Sequence, residues 1–212
     1  TLAKLLCRMY AAPEGSIAID GVPLERWQLG ALRRTVGMVH QDVLLFAGSV
    51  FDNLALGREG VDAACAHAAL ADAQILDRVE ALGGLDARLC ERGANLSAGE
   101  RQLLSIARVL AHDPPIVVLD EATASIDPLT EKKLQQALDR VFQGRTAVVV
   151  AHRLATIRKA DRIIVLNDGR IAEQGDHETL MAAGGVYAGL VATSLRQTSD
   201  STEPTTKTAD PG

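Results

Sequence analysis

Two adjacent carboxylates, Asp120 and Glu121, follow a short apolar run in the segment "PIVVLDEATASIDP". The run at 116–119 is apolar and rich in β-branched residues, which predicts a buried parallel strand. In open α/β sheets, ligands bind at the carboxyl ends of the strands. There, one carboxylate can hold Mg²⁺ while its neighbour polarises an attacking water, as nucleotide hydrolysis requires. The pair is equally compatible with an ordinary strand end, so a second feature is needed to distinguish a catalytic site from a strand end.

The second feature is the start of a helix in "NLSAGERQLLSIARVLAHDP". Ser97 and Glu100 have the spacing of a capping box. The helix continues on an apolar face formed by Leu103, Leu104, Ala107 and Leu110. A cap leaves Gly99 unexplained, because glycine in a helix costs about 1 kcal/mol relative to alanine. Free N–H groups and the helix dipole also attract anions at such a start. We therefore expect a cap and a phosphate site to overlap here.

Short β-branched runs alternate with longer helical patterns, which predicts an α/β domain with a mainly parallel sheet. The candidate strands are "SIAID", "VGMVH", "PIVVLD", "TAVVVA" and "RIIVLN". Asp-Gly turns are expected in "AIDGVPL" and in a C-terminal β-hairpin, "RIIVLNDGRIAEQG". An Ala- and Leu-rich stretch predicts an inserted helical subdomain at about 50–112. The Ser-, Thr- and Pro-rich end predicts a disordered tail at 196–212.

Composition narrows the class of protein. A chain of 212 residues with 47% hydrophobic and 23% charged residues suits one globular domain. No apolar run approaches the ~18–20 residues of a membrane-spanning helix. A net charge of −5, with no basic block beyond Arg33-Arg34, argues against a nucleic-acid surface. Cys7, Cys65 and Cys90 lack disulfide or metal spacing, so we expect buried, free thiols in a reducing cytoplasm.

The motifs together resemble those of ATP-binding-cassette (ABC) ATPases. "LSAGE" followed by a helix and "VVLDEATASID" is similar to the signature motif, Walker B strand and D-loop of that family. "VHQDVLLFAGSVFDNL" is similar to its Q-loop region, and "VVVAHRLATI" to its switch-histidine segment. The four segments occur in family order from Val39 to Ile157, and the similarity extends from Thr1 to about Leu195. "LLFAGSVFDNL" and "ERGANLSAGE" most resemble exporter-type transporters.

The resemblance implies a P-loop NTPase-like ABC ATPase domain at 1–195 and assigns catalytic roles. Asp120 corresponds to the Mg²⁺ ligand and Glu121 to the residue that polarises water. Gln41 corresponds to the Q-loop glutamine, which reaches Mg²⁺ and the attacking water. His152 corresponds to the histidine that faces the γ-phosphate. A loop glutamine and a lone histidine, considered alone, more often have structural roles. These assignments therefore rest on the resemblance.

The resemblance also implies a set of ATP-binding residues, some acting across a head-to-tail dimer of two such domains. They are Thr1, Ser97, Ala98, Gly99, Glu100, Ser125 and Asp127. Asp127 precedes Pro128, an arrangement typical of a helix N-cap followed by proline at the first helical position. It also falls in the D-loop, which contacts the partner domain, so we expect Asp127 to have both roles.

The opening "TLAKLL" predicts a helix without a capping residue before it. In the ABC ATPases that the chain resembles, a loop G-x-x-x-x-G-K-[ST] runs directly into such a helix. We therefore expect the chain to begin just after the Walker A lysine, with Thr1 near the α-phosphate. Neither that loop nor the adenine-stacking aromatic residue is found in the sequence. ATP hydrolysis is expected of the full-length protein, and the fragment as given is expected to be inactive.

Three positions depart from the family pattern. Ala98 stands where glycine is most common, and Glu100 where glutamine is most common, which predicts an altered signature contact with the γ-phosphate. Cys90 replaces a usual glycine before "ERG". Glu91 is the expected contact of this turn with membrane-domain helices, and the replacement at Cys90 weakens that assignment.

The function implied is ATP hydrolysis that powers export, with ATP and Mg²⁺ as cofactors. The implied partners are a second nucleotide-binding domain and a transmembrane domain fused upstream, which place the chain at the cytoplasmic face of the membrane; no nucleic acid is expected. The alternatives are a non-transport ABC ATPase acting on ribosomes or chromosomes, and a catalytically inactive fragment. The chromosome-acting types insert long coiled coils between the Q-loop and the signature. The span from Gln41 to Ser97 is short and has no heptads, which argues against that alternative. The substrate and the choice between homodimer and heterodimer stay open.

Overall fold

The computed structural model describes residues 1–40, 42–120, 127–150 and 154–200, with the backbone alone for Ala155 and 195–200. Residues up to Val150 form one compact unit, and the described residues beyond it form a second. The helices of the first unit are α1 (Leu2–Leu6), α2 (Leu29–Thr35), α3 (Val50–Ala55), α4 (Ala63–Asp72), α5 (Leu76–Ala81), α6 (Ala98–His112) and α7 (Pro128–Phe142). Its strands are β1 (Ala18–Ile19), β2 (Val22–Pro23), β3 (Val36–Val39), β4 (Gly48–Ser49), β5 (Arg88–Leu89), β6 (Ile116–Asp120) and β7 (Thr146–Val150).

A parallel sheet with the strand order β3-β6-β7 lies at the centre of the first unit. Val39 pairs with Leu119, and Leu119 pairs with Val149. One step further along, Asp120 pairs with Val150. All three strands therefore end at the same edge of the sheet, which confirms the predicted parallel arrangement.

Side chains on β6 alternate between two hydrophobic clusters because successive residues of a strand point to opposite faces. Ile116 and Val118 join the cluster that includes Ala3 of α1 and Leu32 of α2. Val117 and Leu119 join the larger cluster, which contains residues from α3 to α7. Both faces of the central strand are thus covered, as expected for a parallel strand.

Helices α3 to α6 occupy the region predicted to be a helical subdomain. Their buried residues share the larger cluster with the sheet, and include Leu54, Leu70, Val79 and Leu104. β5 pairs with β4 in the same region, and 3₁₀ turns form at Gly84–Asp86 and Glu91–Gly93. The domain boundaries at about 50–112 and at 195 stay predictions.

The N-terminal segment forms the short helix α1, as "TLAKLL" predicts. This helix ends at Leu6, and the side chains of Leu2 and Met9 are exposed. Ala3 is the buried residue of this helix. The β1-β2 hairpin turns at Asp20-Gly21, both at positive φ, as the Asp-Gly dipeptide predicts.

The second unit contains α8 (Leu154–Ile157), β8 (Ile163–Asn167), β9 (Arg170–Gly175), α9 (His177–Ala183) and α10 (Val186–Asp200). β8 and β9 form the predicted antiparallel hairpin, with positive φ at Asp168 and Gly169. A small core of Val165, Leu180, Tyr187 and Val191 joins the hairpin to α9 and α10.

The last described helix reaches further than the sequence pattern indicates. α10 continues to Asp200, so helix replaces predicted disorder at 196–200. Once a helix is anchored by buried residues such as Tyr187 and Val191, each added residue gains a backbone hydrogen bond at little further cost. The rest of the predicted tail, 201–212, lies outside the described residues.

The three cysteines are free, but they differ from the buried thiols expected. Cys7 and Cys65 are half-buried, whereas Cys90 is exposed at the start of the Glu91–Gly93 turn. In the described part of the chain, no helix has both the length and the apolar content that a membrane span requires.

Candidate functional site

The carboxyl edge of the sheet leads into three predicted catalytic residues. β3 ends one residue before His40, β6 ends at Asp120, and β7 ends at Val150. The chain continues from these ends into Gln41, Glu121 and His152, all of which lie outside the described residues. Asp120 is the predicted catalytic-site residue that the structure describes at this edge, and it is half-buried.

Charges near this edge act on His40. Partial burial lowers its pKa, and the positive charges of Lys4 and Arg108 act in the same direction. The carboxylate of Asp120 acts in the opposite direction, so it lies close enough to His40 for their charges to interact. Lys4 belongs to α1, whose Ala3 packs in one cluster with Val118 of β6. Lys4 of α1 and Asp120 of β6 therefore act on His40 with opposite signs.

At this edge, Asp120 is a described carboxylate of the type that binds Mg²⁺. The described residues include no group of three or more His, Cys, Asp or Glu side chains that could hold a metal. Mg²⁺ is commonly bound by one or two carboxylates, with waters and substrate phosphates completing its shell. Within the described ion pairs, Asp120 has no partner. Its carboxylate therefore fits the role of one of the protein ligands of Mg²⁺.

At the start of α6, the predicted capping box forms. The Ser97 Oγ accepts a hydrogen bond from the Glu100 backbone N–H at 3.2 Å. The Glu100 Oε2 accepts one from the Ser97 backbone N–H at 2.8 Å. Ser97 is exposed, Ala98 and Glu100 are half-buried, and Gly99 is buried.

The capping box uses half of the free N–H groups at this helix start. A helix leaves its first four N–H groups without acceptors in the helix itself. The box satisfies those of Ser97 and Glu100, and the described hydrogen bonds give no acceptor to those of Ala98 and Gly99. The start of α6 can therefore be capped and still offer two donors to an anion.

A second contact at this position is not predictable from the motif. The Oε1 of Glu100 forms an ion pair with the Nε of Arg78, which belongs to α5, at 2.8 Å. One carboxylate thus caps α6 with one oxygen and binds a neighbouring helix with the other. Nothing local in the sequence connects positions 78 and 100, so motif analysis missed Arg78.

The loop at 42–47, which follows Gln41, is held by two residues that motif analysis also missed. The fully buried amide of Asn53 bonds both the N–H and the carbonyl of Phe46, each at 2.9 Å. From α6, Arg108 donates to the carbonyls of Asn53 at 2.8 Å and Leu44 at 3.1 Å. The helix that begins at the signature is therefore bonded directly to this loop. A polar residue at a buried helical position is the signal that could have indicated both.

The turn at Glu91–Gly93 packs against the same loop. Gly93 has positive φ, and a Cβ there would meet the Cδ1 of Leu45 at 2.7 Å and the side chain of Arg101 at 3.1 Å. Glycine is required here for both reasons. Asn95 stabilises the turn by accepting from the Cys90 N–H at 3.0 Å and donating to the Arg88 carbonyl at 3.2 Å. Glu91, the predicted coupling residue, is exposed.

The other predicted ATP-binding residues lie at helix starts or outside the described residues. Asp127 caps α7, where its Oδ1 accepts from the Thr130 N–H at 3.0 Å. Hydrogen bonds with Thr130 lower the pKa of Asp127, which is the capping half of its predicted double role. Thr1 is exposed and makes no capping side-chain bond to α1. Ser125 lies outside the described residues.

Comparison with known proteins gives the family. The family model for the ABC transporter matches residues 1–124. An uncharacterised ABC transporter ATP-binding protein of Bacillus subtilis, YknV, is 49% identical over 195 residues, which are 90% of this chain and 32% of that protein. The ATP-dependent lipid A-core flippase of Cupriavidus metallidurans is 46% identical over 194 residues, which are 90% of this chain and 33% of the flippase.

A solved structure agrees with these matches. The structure of a bacterial Atm1-family ABC exporter with ATP bound superposes with a TM-score of 0.82 and 40% identity, over 99% of this chain and 35% of the exporter chain. The chain spans about a third of the length of the relatives that it matches. The order of motifs, the fold and the family model agree, and the chain belongs to the ABC transporter family.

Proposed function

We propose that this chain is the ATP-binding and ATP-hydrolysing domain that powers an ABC exporter. The observation that supports this most strongly is the start of α6, where a capping box leaves two N–H donors free at the family's signature position. The names of the flippase and of the Atm1-family exporter support export, as opposed to a ribosomal or chromosomal role.

At the sheet edge, each residue has a separate task. Asp120 and Gln41 hold Mg²⁺, and Glu121 polarises the attacking water. His152 faces the γ-phosphate. Mg²⁺, when bound, neutralises negative charge on the β- and γ-phosphates. The register of β3, β6 and β7 supports these roles, because all three strands end at the same edge of the sheet.

The ATP lies between two copies of the domain arranged head to tail. Ser97, with the N–H groups of Ala98 and Gly99, binds the γ-phosphate held by the partner copy. Glu100 maintains the cap beside them. Ser125 and Asp127 contribute from the D-loop, and Thr1 lies near the α-phosphate. ATP binding closes the dimer and hydrolysis opens it.

The membrane domain docks on the surface formed by the loop at 42–47 and the turn at Glu91–Gly93. Leu44 and Phe46 are 58% and 50% exposed although they flank the buried Leu45. Glu91, in the turn whose Gly93 approaches Leu45, is also exposed, and exposed apolar patches rimmed by polar residues are typical of a protein contact. Arg108 links this surface to α6, so movement of the membrane domain reaches the signature. The chain then works at the cytoplasmic face of the membrane.

A chimera tests the proposal. In the C. metallidurans lipid A-core flippase, the segment that this chain matches is replaced with this chain, and the flippase supplies the rest of its own length. We expect Mg²⁺-dependent ATP hydrolysis and ATP-dependent flipping, both lost in the matched variant Glu121→Gln. Hydrolysis without flipping would favour a non-transport ABC ATPase. A membrane-assembled chimera that neither binds nor hydrolyses ATP would favour the inactive alternative.

The 212-residue chain itself gives a complementary prediction. Its sequence contains no G-x-x-x-x-G-K-[ST] loop, whose amides and lysine hold the β- and γ-phosphates. We therefore expect negligible ATP hydrolysis by the isolated chain in a phosphate-release assay. Robust Mg²⁺-dependent turnover, abolished by Glu121→Gln, would contradict this expectation.

A further inference from the structure

Glu100 makes two contacts that point in different directions. Its Oε2 accepts from the Ser97 N–H at 2.8 Å, inside the capping box. Its Oε1 lies 2.8 Å from the Nε of Arg78. The Glu100 side chain is 25% exposed, against 43% for Arg78, so the pair lies at the surface beside the helix start. The capping geometry at the signature is therefore tied to a second helix.

Arg78 is presented by a well-anchored element. Its neighbour Val79 on α5 is 2% exposed, and Ile75, directly before the helix, is equally buried. Both side chains belong to the larger hydrophobic cluster, together with Leu103 and Leu104 of α6. The backbone on either side of Arg78 is thus fixed relative to α6, and the ion pair joins two packed helices.

The negative charge of Glu100 affects anion binding at the start of α6. The N–H groups of Ala98 and Gly99 are free to bind an anion, but the Glu100 carboxylate sits in the same first turn. A negative charge there repels a phosphate that approaches these donors. The Arg78 guanidinium, 2.8 Å from that carboxylate, offsets this repulsion.

We propose that Arg78 is a positioning residue for ATP at the signature, acting through Glu100. It holds the Glu100 carboxylate in the capping geometry and neutralises its charge, so that the free N–H groups of Ala98 and Gly99 donate hydrogen bonds to the terminal phosphate of ATP. This inference rests on the proposed function. Removing the charge of Arg78 should therefore weaken ATP binding while residue 100 is an acid, and should have no effect on ATP binding when residue 100 is neutral.

The test is a cycle of four proteins in the chimera: unchanged, Arg78→Gln, Glu100→Gln and the double variant. We expect Arg78→Gln to raise the KM for ATP about two- to five-fold, the range that one charge at a helix end produces, with kcat nearly unchanged. In the Glu100→Gln background, Arg78→Gln should leave the KM unchanged. Added NaCl should shrink the effect of Arg78→Gln, because salt screens exposed charges.

Controls separate this role from a structural one. Arg140→Gln breaks another exposed ion pair, that of Arg140 with Asp72 on α4, and should leave the KM unchanged. Arg78→Lys keeps the charge and should retain most of the affinity. Equal effects of Arg78→Gln in both backgrounds, or an effect no larger than that of Arg140→Gln, would overturn the inference.

Ser97→Ala distinguishes failure of this inference from failure of the proposed function. If Ser97→Ala also left the KM unchanged, the signature role itself would be wrong. A raised KM for Ser97→Ala alone would overturn the Arg78 inference and leave the proposed function standing.

Discussion

The start of α6 and the carboxyl edge of the sheet are built in opposite ways. Four consecutive residues form the capping box at Ser97–Glu100, and its two hydrogen bonds join neighbours in the sequence. The edge instead depends on the register of β3, β6 and β7, which joins residues as distant as Val39, Leu119 and Val149. One region is specified locally, and the other requires the whole sheet to assemble.

Because of this difference, the two regions respond differently to sequence changes. A change at the α6 start alters one helix end and leaves the sheet intact. A change in the register of β6 would move Asp120 and the chain beyond it together. Arg108, near the other end of α6, bonds the loop that follows β3, so α6 connects the two regions.

The largest effect is expected at the sheet edge. In the chimera, Glu121→Gln removes the carboxylate that we propose polarises water, so kcat should fall about 10²- to 10⁴-fold while ATP binding is kept. Asp120→Asn should instead raise the Mg²⁺ concentration needed for half-maximal turnover. Turnover by Glu121→Gln at the unchanged rate would show that the edge lacks its proposed base.

The connection between the two regions gives the next largest effect. Arg108→Met keeps an apolar stem but leaves the carbonyls of Leu44 and Asn53 without their donor. The free energy of unfolding of the 212-residue chain should fall by about 1–3 kcal/mol, because the carbonyl of the buried Asn53 loses its donor. Urea unfolding measures this, with the exposed Arg140→Met as control. An equal loss in both variants would mean that Arg108 only contributes surface charge.

The smallest effect concerns pH at the far end of α6. Burial and the nearby charge of Arg58 lower the pKa of His112 from 6.5, although its contact with the Ala55 carbonyl acts oppositely. The unfolded chain therefore takes up a proton first as pH falls, and the free energy of unfolding decreases below about pH 6.5.

His112→Gln tests this pH dependence directly. It should flatten the slope of unfolding free energy between pH 7 and 5, while His67→Gln, at an exposed position of α4, serves as the control. A residual slope of the same sign is expected from His40, whose pKa is also lowered. An unchanged slope in His112→Gln would show that this histidine does not couple to folding.

Local signals predicted much of this molecule. The capping box at Ser97, the cap at Asp127 and the Asp-Gly turn of the C-terminal hairpin each follow from a few neighbouring residues, and each forms. The capping box at Ser49 and Asp52 carries the same kind of local signal, and sequence inspection overlooked it.

Long-range contacts could not be read in this way. Arg78 meets Glu100, and Arg108 meets Leu44, because helices pack in positions that depend on the whole core. The approach of Gly93 to Leu45, in the turn that follows the exposed Cys90, is another long-range contact of this kind. The roles of Gln41, Glu121, Ser125 and His152 stay predictions, since they lie outside the described residues.

The overlap of a cap with a phosphate site at Ser97 is tested most directly by comparing two equivalent caps. Ser97→Ala and Ser49→Ala each remove the hydroxyl of a capping box, so each should lower the free energy of unfolding of the chain by about 0.5–2 kcal/mol. In the chimera, we expect only Ser97→Ala to raise the KM for ATP, because the proposed function places only that hydroxyl at the nucleotide. If Ser97→Ala lost stability like Ser49→Ala but kept an unchanged KM and turnover, the start of α6 would be a helix cap and nothing more.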